Sequence, residues 1–227
     1  MGVKQVLRGR SIFRISLPVR ALGLLALVAL ATGCQTGAHQ VSNRKLIEHQ
    51  ALIDFSGLNS VQPVEDVQVT CSVPRGWITA PPQRMALYSH QQWKSPSGYT
   101  GVGVVYAHIP FPLSAKSLLW FAKNEYTKKS DNGKALGEWD DELGRPWFEA
   151  ENNKYHVRGY AVAEGFNAWI VYFGYKTNRP PNPAELSLAA RCLESVVTGT
   201  TKVQPNPSNS NVAQGNKAQS QSPGKSG

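Results

Sequence analysis

Residues 145–175 constrain this chain more than any other stretch. They read RPWFEAE, Asn152-Asn153, KYHVRGYAVA, Glu164-Gly165 and FNAWIVYFGY. Alternation at period two, broken twice by short polar pairs, predicts a three-stranded antiparallel meander with two-residue turns. Those turns place Glu151 opposite Lys154, Glu149 opposite His156 and Trp147 opposite Arg158. The reverse side then carries Phe148 with Val157 and Ala150 with Tyr155. In the third strand Ala168, Ile170 and Tyr172 extend one face, while Trp169, Val171 and Phe173 extend the other. A sheet that is apolar on both faces has to be covered on both.

Two helical segments can supply that cover. Ser114 is placed to cap a helix running to about Ser130, with Ala115, Leu118, Leu119, Ala122 and Tyr126 on one face. The second helix has Asn182 as cap, Pro183 at its first position and Glu185 as capping-box acid. Leu186, Ala190, Leu193 and Val197 form its expected apolar face, with Gly199 beyond its end. Upstream, VEDVQVTCSV reads as a strand ending at the turn PRGW. RMALYSHQQW and TGVGVVYAHI read as strands joined by the hairpin loop KSPSGY, and KALGEW as a short strand before the acidic turn DDELG. The fold class expected is α+β, an antiparallel sheet flanked by helices.

The globular unit is expected over 64–199. Residues 34–63 are polar apart from a short possible helix around RKLIEHQALIDF and read as a tether. Residues 200–227 are Ser, Asn, Gln, Pro, Gly and Lys with almost nothing apolar, the composition of a disordered tail.

Residues 1–33 carry five basic residues and no acid, then an uncharged run from Ala21 to Gly33. As a helix that run spans about 20 Å, short of a hydrocarbon core of about 30 Å. A basic start, a short apolar stretch and small residues after it predict a secretory signal peptide rather than an anchor. Leu30-Ala31-Thr32-Gly33-Cys34 resembles a bacterial lipobox, with alanine where leucine is commoner at the third position before the cut. The resemblance implies lipidation of Cys34, cleavage before it, and a tether held in the membrane by acyl chains. Gln35 is not the aspartate that retains many lipoproteins in the inner membrane, which favours the outer membrane where one exists. The expected location is a cell membrane or outer membrane, facing the periplasm or exterior.

With Cys34 acylated, Cys71 and Cys192 remain. In an exported domain they point to a disulfide, worth about 4–5 kcal/mol in a chain-entropy model; the alternative is two buried free thiols. The formal charge of +9 does not indicate nucleic acid, because residues 65–199 hold 14 basic against 13 acidic residues and no basic stripe.

Chemistry-bearing motifs are few. There is no GxSxG, HExxH, CxxC or phosphate-binding glycine loop, and GVGVV at 101–105 reads as a strand. DDE at 140–142 reads as a solvated turn rather than a calcium site. No metal or other cofactor is implied. Of five histidines only His156 has a plausible partner, Glu149 across a hairpin. Of six tryptophans, Trp120 and Trp169 read as core, whereas Trp139 and Trp147 flank the acidic turn as candidate contacts. Trp139, Trp147, Glu149, His156 and Arg158 make up the candidate binding face.

The turn VPRGW, with Pro74, Gly76 and Trp77, is followed by a hairpin, a helix, a meander containing GRPWFEAE and YHVRGYAVAEG, and a closing helix. This order over 64–199 resembles the PsbP-like α/β/α sandwich. The resemblance implies a non-enzymatic, sometimes lipid-anchored protein that docks on a membrane complex or another envelope protein. In the photosystem members it helps retain metal and chloride at the partner, and no residues carry over from that role. The functional expectation is therefore a binding or accessory module for an envelope protein or complex. The alternative is an envelope hydrolase or transferase using Glu149 and His156, with Arg158 or Tyr160 nearby.

Overall fold

The computed structural model describes residues 43–128 and 132–199; the leader, Cys34 and the tail from residue 200 lie outside them. Helix α1 spans Asn43–Ala51, α2 Ala115–Lys128 and α3 Pro183–Glu194. The strands are β1 Gln62–Val64, β2 Val69–Cys71, β3 Ile78–Thr79, β4 Gln83–Arg84, β5 Tyr88–Lys94 and β6 Thr100–His108. They continue with β7 Lys134–Asp140, β8 Pro146–Glu151, β9 Tyr155–Glu164, β10 Asn167–Lys176 and β11 Val197–Thr198. The class is α+β, dominated by antiparallel sheet.

An eight-stranded sheet runs β3-β5-β6-β10-β9-β8-β7, with β4 also paired to β5. The β7–β10 meander folds back so that β10 lies between β9 and β6, antiparallel to both. Both faces of β6 and β10 are covered, as their sequence demands. On one face Leu119 of α2 packs with Tyr88, Val105, Phe148, Val157 and Tyr172. On the other, Ala189, Cys192 and Leu193 of α3 pack with Trp169, Val171, Tyr160, Val102 and Val104. A small sheet, β1-β2-β11, joins this second layer. Trp169 is tied into it by its indole N–H, which donates to Val67 O at 2.9 Å.

Both helix starts are as expected. Ser114 Oγ accepts from Ser117 N at 3.1 Å, and Asn182 Oδ1 accepts from Ala184 N at 3.0 Å ahead of Pro183. Glu185 instead accepts from Ser97 Oγ at 2.9 Å. The α3 end differs from expectation: the helix stops at Glu194 and Val197 belongs to β11, paired with Thr70. The buried side of α3 is accordingly Ala189, Cys192 and Leu193. Ser195 makes the transition, its hydroxyl accepting from Ser72 N at 2.9 Å and donating to Cys192 O at 2.7 Å. The first expected strand is split, a 3-10 turn over Glu65–Val67 preceding β2. Within the expected tether, Ile53 and Leu58 are buried and Arg191 Nη1 holds Asp54 Oδ2 at 2.6 Å.

The tryptophans sort differently from the sequence reading. Trp169 is core, but Trp120 is 50% exposed and Trp147 only 8% exposed. Trp120 sits on the α2 side that carries Lys116 and Lys123, which reach out to Asp140 and Glu138 of β7. Cys71 and Cys192 are fully buried in one core cluster as free thiols. Burial pushes the Cys71 thiol up to about 12.

Two polar clusters inside this frame set testable energetics. His90 is buried, with Nε2 at 2.8 Å from Tyr172 Oη, which also accepts from Gln92 Nε2 at 2.9 Å. Gly103 leaves space for that phenol, since a Cβ there would lie 2.4 Å from Tyr172 Cζ. Burial lowers the His90 pKa from 6.5 to about 4. The unfolded chain therefore binds the extra proton between those values, so stability is intact above pH ~6.5 and declines as pH falls towards ~4. The total is about 3 kcal/mol. Urea titrations across that window should show the decline, and His90→Gln should remove about this much of it. Equal slopes in both proteins contradict the assignment.

The β7–β8 turn is folded around Asp141, which the sequence reading left in solvent. Its Oδ1 accepts from Leu143 N at 3.0 Å and Arg145 N at 2.8 Å. Its Oδ2 accepts from Arg145 Nε at 2.7 Å and Trp147 Nε1 at 2.8 Å. Burial raises the Asp141 pKa, but Arg145 and the hydrogen bonds from Trp147 and Arg145 outweigh it and hold it below the usual range. Arg145 is itself buried, so Asp141→Asn strands a guanidinium. The variant should lose about 3–5 kcal/mol in equilibrium unfolding. A loss under ~1 kcal/mol contradicts this role.

Candidate functional site

The five candidate side chains lie on one side of the sheet, in a register different from the one expected. Asn152 Oδ1 accepts from the backbone N–H of Lys154 and Tyr155, both at 2.8 Å. That Asx turn moves the tight turn to Asn153-Lys154, and Asn152 N donates to Tyr155 O at 2.9 Å. The directly opposed pairs are therefore Trp147 with Tyr160, Glu149 with Arg158 and Glu151 with His156. Because both strands move by one residue, side-chain parity survives. Trp139, Trp147, Glu149, His156 and Arg158 still project from one side of the sheet.

Helix α3 packs over β6 and β10 on that side and touches β9 at Tyr160, whose hydroxyl donates to Leu193 O at 3.1 Å. Beyond Tyr160 lies a strip with Arg158 exposed and Trp139 and Glu149 half-buried. The strip is built on stacked rings. Trp139 and Trp147 are opposed across β7 and β8, with centroids 6.0 Å apart and planes 13° apart. Below them Tyr160 packs 4.8 Å from Trp147, with the Arg145 guanidinium 4.3 Å from the Tyr160 ring centroid. Above them Arg158 lies 4.7 Å from the Trp139 centroid and 5.5 Å from that of Trp147. Trp147 is thus the buried base of the stack, pinned by Asp141, and Trp139 with Arg158 is its accessible part.

The Glu149–His156 pair also forms, diagonally rather than face to face. His156 Nε2 lies 2.7 Å from Glu149 Oε1, and Nδ1 lies 3.7 Å from Glu151 Oε2. Glu151 pairs with Lys134 at 2.6 Å, and chiefly that hydrogen bond lowers its pKa. The imidazole stacks on Tyr175, its register partner in β10, at 4.8 Å and 15°. Tyr175, Phe173 beside Arg158, and Lys134 were not among the candidates; extending the pairing into the third strand reaches the first two.

A shallow groove of about 270 Å³ lies between α2 and the β7–β8 corner, lined by Lys116, Leu119, Glu138, Trp139, Asp140, Pro146 and Trp147. Glu149 and His156 do not line it. Among the described residues no His, Cys, Asp and Glu cluster could hold a metal, and no helix is long and apolar enough to cross a membrane.

No family model and no curated protein matches the chain. Among solved structures, a protein from Bacteroides thetaiotaomicron VPI-5482 is similar at 11% identity and a TM-score of 0.32. The match covers 63% of this chain and spans about half, 49%, of the Bacteroides chain.

Proposed function

We propose that the chain is a membrane-anchored envelope lipoprotein whose domain binds another envelope protein or complex without catalysing a reaction. Cys34 carries the acyl chains in this reading, and the domain takes the PsbP-like α/β/α arrangement. One observation carries the binding part: the strip beyond Tyr160 presents Arg158 on the Trp139–Trp147 stack. Tryptophan, tyrosine and arginine are the residues that dominate binding energy at protein interfaces, and stacking on a sheet face lowers the cost of ordering them. Helices on opposite sides of one antiparallel sheet support the sandwich. Export would place Cys71 and Cys192 in an oxidising compartment, where their shared core position favours a disulfide.

A second reading has its own observation, the 2.7 Å contact between Glu149 and His156, which suits a general base with its orienter. The His156 and Glu149 side chains are 13% and 32% exposed on a sheet face, and neither lines the groove, the concave site that could hold a substrate against them.

Capture from solubilised membranes separates the two readings. Trp139→Ala with Arg158→Gln spares the buried Trp147 and should abolish capture, while Glu149→Gln with His156→Asn should leave capture and phenotype near wild type. If the second pair destroys function in a folded protein that still captures its partner, the enzyme reading replaces this one. For the anchor, a fatty-acid probe should label the wild type and not Cys34→Ser; equal labelling rejects lipidation. Non-reducing mass spectrometry of exported protein should yield one Cys71–Cys192 cross-linked peptide pair, and two freely alkylated thiols reject the bridge.

A further inference from the structure

The Arg158 side chain is exposed, yet it makes neither an ion pair nor a hydrogen bond with the described residues; the indole faces beneath it are its contacts. At the same edge of the sheet Lys134 and Arg145 each hold a carboxylate, whereas Arg158, like Lys176 and Arg179 over Tyr99, rests on a ring. Yet Arg158 does not lack a candidate. Glu149 is its direct cross-strand partner, at a spacing where opposite charges ordinarily pair. The Glu149 carboxylate instead turns along the sheet to His156, 2.7 Å away, and His156 is fixed from the other side by Tyr175.

We infer that Arg158 is a carboxylate receptor for an acidic side chain of a partner protein, kept vacant because His156 holds Glu149 away from it. The inference rests on the binding reading above and names the chemistry of its partner. A guanidinium lying on indole faces keeps its in-plane N–H donors directed outwards, and two of them match the two oxygens of a carboxylate. The aromatic base fixes the plane before the partner arrives, which limits the entropy lost on binding. Phe173, opposite Arg158 in β10 and partly buried, gives an apolar flank for the methylenes of an incoming Glu. His156 touches no partner in this scheme. It is a positioning residue, and its effect runs entirely through Glu149.

That dependence gives a test by rescue. The ¹⁵N-labelled protein is titrated with acetyl-tetraglutamate amide, following the Arg158 Nε–H and Trp139 indole signals, with the tetraglutamine peptide and inorganic phosphate as comparisons at equal ionic strength. The glutamate peptide should shift both signals saturably, and the glutamine peptide neither. Arg158→Gln should weaken binding up to about fivefold, the upper end of the range for an exposed ion pair. His156→Phe, which keeps a ring against Tyr175, should weaken it similarly by releasing Glu149 onto Arg158. Adding Glu149→Gln to His156→Phe should restore it, and Glu149→Gln alone should bind at least as tightly as wild type. Circular dichroism of each variant checks that it is folded. The inference is overturned by equal shifts from both peptides, by phosphate binding as tightly as the glutamate peptide, or by folded double variants that stay weak. If the peptide fails while Trp139→Ala with Arg158→Gln still loses membrane capture, the carboxylate assignment falls and the binding reading stands.

Discussion

Strands β6, β9 and β10 carry bulky apolar side chains on both surfaces, and everything else in the domain is arranged to keep those surfaces dry. Val104, Val171 and Trp169 point one way, Val105, Ala161 and Tyr172 the other, and all six are buried. One helix cannot serve both sides, so α2 and α3 divide the work, and β1-β2-β11 completes the layer beside α3. The demand weakens towards β7, where the strand is largely exposed and cover is not needed on both sides. The strip beyond Tyr160 is the place where a two-sided core gives way to a one-sided edge.

Much of this was legible locally. Period-two alternation identifies β8, β9 and β10 and separates the named side chains of β8 and β9 into the two sides they occupy, though not into the pairs they form. The caps Ser114 and Asn182 marked the helix starts because the signal lies within a few residues of its effect. The failures were of another kind. The register of β8 on β9 turns on one side-chain amide, Asn152, choosing two particular backbone donors, which Asn152-Asn153 leaves open as letters. The end of α3 is decided by pairing with β2, more than a hundred residues away, through Ser195 and Val197. Trp120 falls outside the α2 face that carries Leu118, Leu119 and Ala122, whereas Asp141 and packing on Tyr160 draw Trp147 inside.

The candidate face was readable as a set and not as a mechanism. Parity brought Trp139, Trp147, Glu149, His156 and Arg158 together, but pairwise logic assigned each residue the neighbour opposite it. In the folded sheet the decisive relations are diagonal: His156 takes the carboxylate that stands across from Arg158, and Arg158 settles on rings instead. Competition of this sort among three side chains depends on ångström-scale reach, to which alternation is blind.

The register shift between Ala135 and Gly137 gives β7 one residue more than β8 and leaves Leu136 exposed at a sheet margin. An open margin is a template on which another chain can add itself as a strand, and a bulge with charged neighbours spoils that template by bending it. Lys134, Glu138 and Asp140 are the charges, each already committed to a partner within the chain. Copies crowded side by side can therefore meet along β7 without fusing into a continuous ribbon.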